Sequence, residues 1–264
     1  MRVIIGTDLE GVAGVVSFTS QTYSDGKYYE AAKKLLTAEV NAAVEALVSL
    51  GVDDILVEDG HGSGGIVFEE LHPAAKLLHG GPWVVNSLHD EVVRQYDVCM
   101  IVGQHAMAGV ATGDLNHTQN SRAVDYYKLN GRPIGELAQY ALYHGATGQP
   151  MIFLSGDEAA CREAEDLIPG ITTAAVKKGL GRNCAISLSA VEARRRIREG
   201  VTLAVKRQME NPLPPFSLPG PYVLEKRYFH TDVADAASRN HLAERVDSQT
   251  VRLRSDDILE IIYA

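Results

Sequence analysis

Apolar and polar positions along this chain follow two rhythms. Unbroken apolar runs of strand length, each closed by polar or glycine residues, occur at 2–7, DILVED (54–59), PWVVN (82–86), DVCMIVG (97–103) and PMIFLSG (150–156). Such runs suit strands covered on both faces. Between them the spacing lengthens. Leu36, Val40, Ala43, Leu47 and Leu50 recur at three- and four-residue steps, and Gly51 supplies a stop, so 27–50 is predicted as a long helix. Helices are also predicted over 157–168 and 189–210, with a strand at 171–177 between them. The alternation predicts an α/β fold of layered α/β/α type, with a mainly parallel central sheet.

RAVDYYKLNGRPIGE (122–136) breaks this rhythm. It reads as a strand turning at Asn130-Gly131 and entering a helix near Glu136. The proline cluster NPLPPFSLPGPY (211–222) is the clearest linker; a strand (221–229), a helix, a strand (249–254) and a terminal helix are predicted after it. Residues 1–210 are therefore expected to form the main metal-binding catalytic region, with a smaller intertwined second subdomain. Residues 211–264 would be a linker and an α/β tail packed upon it.

Charge narrows the partners. With a formal net charge of −9 and no basic block beyond Arg194-Arg195-Arg196, nucleic acid and anionic membranes are poor fits. No basic-then-apolar leader and no run of bilayer length is present, so a soluble, cytoplasmic protein is expected. Cys99, Cys161 and Cys184 are widely spaced and lack C-x-x-C pairing, which suggests neither a disulfide framework nor a thiolate metal site.

The candidate chemistry lies where strands end, the usual place for ligand sites in open α/β sheets. Asp8 and Glu10 stand in TDLEG (7–11), His61 in EDGHGSGG (58–65), His105 in VGQHAMAG (102–109), and Glu136 follows the hairpin. Each alone has a bland reading: a helix cap, a loop histidine, a buried histidine, a first-turn acid. GHGSGG lacks the lysine of a P-loop. Asp59 could orient His61 or shape a turn. Gathered together, three carboxylates and two imidazoles would repel and desolvate one another without cations. Two divalent ions resolve that conflict, and mixed imidazole and carboxylate donors suit zinc, with manganese or cobalt as substitutes.

The ordered set DLEG (8–11), DGHG (59–62), GQHA (103–106), NHT (116–118) and NGRPIGE (130–136) resembles the DppA-type D-aminopeptidases of the M55 metallopeptidase family. The likeness extends to AEDLIPGITTAAVKKGLGR (164–182) and VRLRSDDILE (251–260). It implies an aminopeptidase with two zinc ions per subunit, acting on short peptides of the D-Ala-D-Ala type through a metal-bridging hydroxide. By the same likeness Asp8 is shared by both metals, Glu10 and His61 hold one, His105 and Glu136 hold the other, and His117 is the catalytic histidine. Small length changes between His105 and Glu136 affect the placement of the His117 loop. The resemblance also implies a homo-oligomer, a decamer of stacked pentamers. His72, His79, His89, His144, His230 and His241 match no motif and are read as structural or surface residues.

Two rivals share these residues. A Mg-dependent phosphatase of the haloacid-dehalogenase type also sets two acids after its first strand, but it gives the histidines no work. A non-catalytic, metal-containing oligopeptide-binding protein is the other. Five protein ligands for two ions leave coordination open, which favours catalysis.

Overall fold

A computed structural model describes residues 1–80 and 86–264. The strands are β1 (Arg2–Thr7), β2 (Asp54–Asp59), β3 (Ala75–Leu78), β4 (Val98–Gln104), β5 (Val124–Leu129), β6 (Arg132–Ile134), β7 (Met151–Asp157), β8 (Thr172–Gly181), β9 (Cys184–Ser187), β10 (Tyr222–Tyr228), β11 (Ala243–Arg245) and β12 (Thr250–Ser255). The helices are α1 (Tyr29–Ser49), α2 (Asn86–Val93), α3 (Glu136–Thr147), α4 (Glu158–Leu167), α5 (Ala190–Glu210) and α6 (Thr231–Ala237). The central sheet runs β3-β2-β1-β4-β7-β8-β9, parallel except for β9. A second sheet, β11-β12-β10-β5-β6, is antiparallel throughout.

The apolar strands are sandwiched. Val3 and Ile5 of β1 face a core shared with Leu36, Val40 and Leu47 of α1 and Ile197 and Val201 of α5. Ile4 faces the other way, into a core with Leu137 and Ala141 of α3, Ala160 of α4, and Leu129, Leu224 and Val251 of the second sheet. Burial on both sides explains why these strands read as continuous apolar runs. The second sheet combines the 124–134 hairpin with strands from the end of the chain. Its turn uses left-handed backbone at Asn130 (φ 49) and Gly131 (φ 81), as a two-residue hairpin demands.

Several expectations change. Most of PWVVN (82–86) lies outside the described residues, and Asn86 opens α2. The strand at 171–177 runs on to Gly181 and turns back as β9. The terminal helix is only a 3-10 turn at Ile258–Glu260: Ile258, Ile261 and Ile262 are buried in the core beneath α3, and Gln139 donates to the Ile262 carbonyl at 2.6 Å, so the chain follows that surface instead of coiling away. The proline-rich stretch is packed down; a Cβ on Gly145 of α3 would stand 1.8 Å from the Phe216 carbonyl oxygen. No helix among the described residues is long and apolar enough to cross a membrane.

Candidate metal centre

Strand order reverses at β1. The chain goes from β1 outward through β2 and β3, then returns to place β4 on the other side of β1. The crevice beyond the ends of β1 and β4 is the topological switch point at which open α/β sheets bind ligands.

Glycines let the two strand ends close on each other there. The Asp8 amide donates to the Val102 carbonyl at 3.0 Å and the Gly11 amide to the Gly103 carbonyl at 2.7 Å. Gly103 has φ +87, and a Cβ on it would lie 1.9 Å from the Asp8 carbonyl oxygen. A Cβ on Gly11 would meet the Gln104 carbonyl oxygen at 2.0 Å. The glycines of DLEG and VGQH are thus what brings the acids of one strand to the histidine of the next.

Asp8, Glu10, His61, His105, His117 and Glu136 converge in this crevice, in two sets. Ligand atoms of Asp8, Glu10 and His61 lie within 4.8 Å of one another, as do those of His105, His117 and Glu136. Asp8 faces both sets, with Oδ1 3.3 Å from His61 Nδ1 and Oδ2 3.0 Å from His105 Nε2. His61 Nδ1 is 3.1 Å from Glu10 Oε2, His105 Nε2 is 3.4 Å from Glu136 Oε1, and His117 Nε2 is 3.7 Å from the same oxygen. The imidazoles of His105 and His117 are stacked, centroids 3.9 Å apart.

Each imidazole has one nitrogen against a backbone carbonyl and the other turned inward. His61 Nε2 meets the Thr22 carbonyl at 2.7 Å, His105 Nδ1 meets Ala106 at 2.9 Å, and His117 Nδ1 meets Leu115 at 3.0 Å. Donation to those carbonyls orients each ring and turns its other nitrogen into the cluster, the nitrogen a metal would take once its proton leaves. Despite their charged neighbours, buried Glu10 Oε2 and His105 Nε2 have no well-aligned hydrogen bond. They point at a common space more than at each other, so the donor set fits cations.

The electrostatics agree. Burial opposes charge on His61, but the Glu10 carboxylate and the ring's hydrogen bonds to Asp8 and Glu10 outweigh it, lifting the imidazole to about 11. His105 is raised well above its ordinary value against the same burial, by Glu136 and Asp8. Burial would raise Asp8, yet His105 and His61 hold it well below the usual carboxylate range. Without metal, protons on the imidazoles supply the positive charge that the acids demand.

Gly135 is the N-cap of the helix that Glu136 opens, and Glu136 Oε1 accepts the Gln119 amide at 2.6 Å, tying the His117 loop to α3. Asp59 takes the turn role: its oxygens accept the Gly65 and Ile66 amides at 2.7 and 3.2 Å, while the Thr22 carbonyl orients His61. His89 and His144, two of the histidines outside every motif, surround buried Glu58, at 2.9 and 3.7 Å. Burial would raise that acid; the histidines hold it near 2.

The sequence did not reveal a buried lysine behind the centre. Lys177 of β8 donates to the carbonyls of Glu10 and Val15 and to Asp114, anchoring the Glu10 segment and the His117 loop together.

A D-aminopeptidase of Bacillus subtilis (strain 168) is 29% identical over 270 residues, spanning all of this chain and 95% of the relative. The solved structure of a Zn-dependent D-aminopeptidase DppA from Bacillus subtilis, described as a self-compartmentalizing protease, superposes with a TM-score of 0.88 at 28% identity, covering 99% of this chain and 94% of the other. The sequence profile of peptidase family M55, described as D-aminopeptidase, matches residues 1–264 from end to end, and the chain belongs to that family.

Proposed function

We propose that this chain is a zinc-dependent aminopeptidase that removes a D-configured residue from the amino end of short peptides, D-Ala-D-Ala among them, using two zinc ions per subunit. The observation carrying this reading is Asp8, whose two oxygens face two separate donor sets. In it Glu10 and His61 complete one position, His105 and Glu136 the other, and Asp8 serves both. Zinc, on which the solved relative depends, suits these mixed donors.

Bound zinc would polarise the scissile carbonyl and lower the pKa of water toward neutrality, providing a hydroxide nucleophile. Proton handling falls to the chain. His117 donates from Nδ1 to the Leu115 carbonyl, which leaves Nε2 open beside Glu136. That nitrogen takes the proton released by the attacking water and returns it to the leaving nitrogen as the C–N bond breaks. Stacking on His105 fixes the ring plane, so the proton travels along one direction. The closeness of His117 to His105 and Glu136 supports a second reading, in which it is a third donor to that zinc.

The solved relative's self-compartmentalizing nature supports a closed homo-oligomer, read here as a decamer of stacked pentamers, that admits short peptides. Light scattering showing a monomer would remove that part.

The test of the whole is elemental analysis of the purified protein beside alanine release from D-Ala-D-Ala, L-Ala-L-Ala and an acyl-blocked peptide. Expected are two zinc equivalents and release from the D-peptide alone. Absence of zinc, or turnover that survives chelation, would overturn it.

A further inference from the structure

The turn between β8 and β9 brings a guanidinium to the centre that the zinc reading leaves without work. Arg182 Cζ lies 4.7 Å from the centroid of the Phe18 ring, and the same ring meets His117 edge-on at 5.4 Å. One aromatic ring therefore touches both the cation and the imidazole. Arg182 Nη1 donates to the carbonyl of Asn116, the residue before His117, at 3.1 Å.

The mount is rigid. The Asn183 amide donates to the Asp114 carbonyl at 2.8 Å, and Asn183 Oδ1 accepts the Phe18 amide at 3.3 Å. Asn183 (φ 60) and Gly181 (φ 153) hold the tight backbone this requires. Thr22, at the far end of the π-helical turn that Phe18 begins (Phe18–Thr22), orients His61. A single short element therefore sets the arginine's aromatic seat, the edge of His117 and the orientation of His61.

Arg182 is exposed, and its polar contact among the described residues is a neutral carbonyl. Ring stacking and that bond orient the fork while leaving donors unused. The planar guanidinium matches a carboxylate with two parallel hydrogen bonds. In a short peptide whose amino end lies at the zinc centre, the group of that chemistry is the terminal carboxylate. With the guanidinium 4.7 Å and the His117 imidazole 5.4 Å from the one Phe18 ring, the two stand within about 10 Å of each other, inside the reach of a peptide of two or three residues at about 3.3–3.6 Å per extended residue.

We propose that Arg182 is a specificity-determining residue that binds the C-terminal carboxylate of a di- or tripeptide, so that the enzyme measures peptide length between its zinc centre and this cation. The inference rests on the aminopeptidase reading above.

The experiment compares the zinc-loaded full chain with Arg182→Ala, Arg182→Lys and Arg122→Ala, on D-Ala-D-Ala and its C-terminal amide. Arg122, stacked on Tyr23, is the control. Wild type should favour the acid by about tenfold or more in kcat/KM, as a charged hydrogen-bonded pair allows. Arg182→Ala should erase that preference through KM for the acid and keep its zinc; Arg182→Lys should recover part of it. A parallel fall on both peptides would show a purely structural role and overturn the proposal, as would an unchanged ratio or its loss in Arg122→Ala. Calorimetric Kd values for the same peptides provide the acid-to-amide ratio without turnover. A protein that binds the acid through Arg182 but releases no alanine would sink the peptidase reading and uphold only the carboxylate binding; equal Kd values in wild type would sink this one.

Discussion

Lys177 Nζ lies 2.9 Å from Asp114 Oδ2 with both side chains sealed from solvent, and the same ammonium donates to the Glu10 carbonyl at 2.5 Å and the Val15 carbonyl at 2.6 Å. Its three donors are all used, so the charge is held by geometry that a shorter or uncharged side chain cannot reproduce. One partner lies beside a proposed ligand and another on the loop carrying His117.

Replacing Lys177 by Met would leave Asp114 buried without its cation. Breaking a buried pair from one side costs about 3–5 kcal/mol, so the denaturation midpoint should fall steeply. Adding Asp114→Leu should recover part of that stability, because two apolar side chains can replace a buried pair. Zinc retention and turnover should stay low in the double variant, since the Glu10 and His117 segments are no longer pinned. Full recovery of zinc binding would show that Lys177 serves stability alone.

Asp8→Asn and His117→Ala should separate holding metal from moving protons. Asp8 faces both donor sets, so its loss should lower zinc content at both positions. His117→Ala should keep about two zinc equivalents while kcat falls about 10²–10⁴-fold, the range of a lost acid–base group. Loss of one zinc equivalent in His117→Ala would move it from proton carrier to ligand.

The proposed ligands were legible because strand ends concentrate chemistry and the strands before them are apolar on both faces. Asp8, Glu10, His61 and His105 follow β1, β2 and β4 within a few residues, so finding the strands located the side chains. The clamp behind them was not legible. AAVKKGLG reads as a strand fraying into charge, and Lys177 is buried only because partners 167 and 63 residues away fold over it. The Thr22 carbonyl that orients His61 is a backbone atom, which no side-chain pattern announces. β3 and β9, four residues each and only partly buried, were too short for periodicity to single out.

Glu39 predicts a stability that depends on pH. Burial dominates and lifts its carboxyl from 4.5 to about 8, although the Ala13 amide donates to Oε1 at 3.0 Å. The folded protein thus keeps a proton that the unfolded chain releases above 4.5. The associated stability is complete below that value and is lost as pH rises through about 8. Glu39→Gln should match wild type at pH 5 within about 0.5 kcal/mol and exceed it by about 1–3 kcal/mol at pH 9, since its amide retains an acceptor for Ala13 without carrying charge. Parallel stability curves across that range would show that Glu39 ionises freely in the fold.

Zinc binding should expel protons. His61 is raised to about 11 and His105 well above its ordinary value, so at pH 7 the metal-free protein holds a second proton on each ring. A nitrogen that binds zinc must give up its proton, so filling both positions should release about two protons from these rings. The sign follows: raised folded values stabilise the metal-free protein below the ordinary imidazole range, and that contribution disappears as pH climbs through the folded values. Zinc affinity moves the opposite way and should strengthen with rising pH. Calorimetric titration of zinc in buffers of different ionisation enthalpy yields the proton count directly. His61→Gln should lower it by about one, because one protonated ring is removed while Asp8, Glu10 and His105 remain. A count near zero in wild type would mean that the inward nitrogens of both rings are already free of protons before metal arrives.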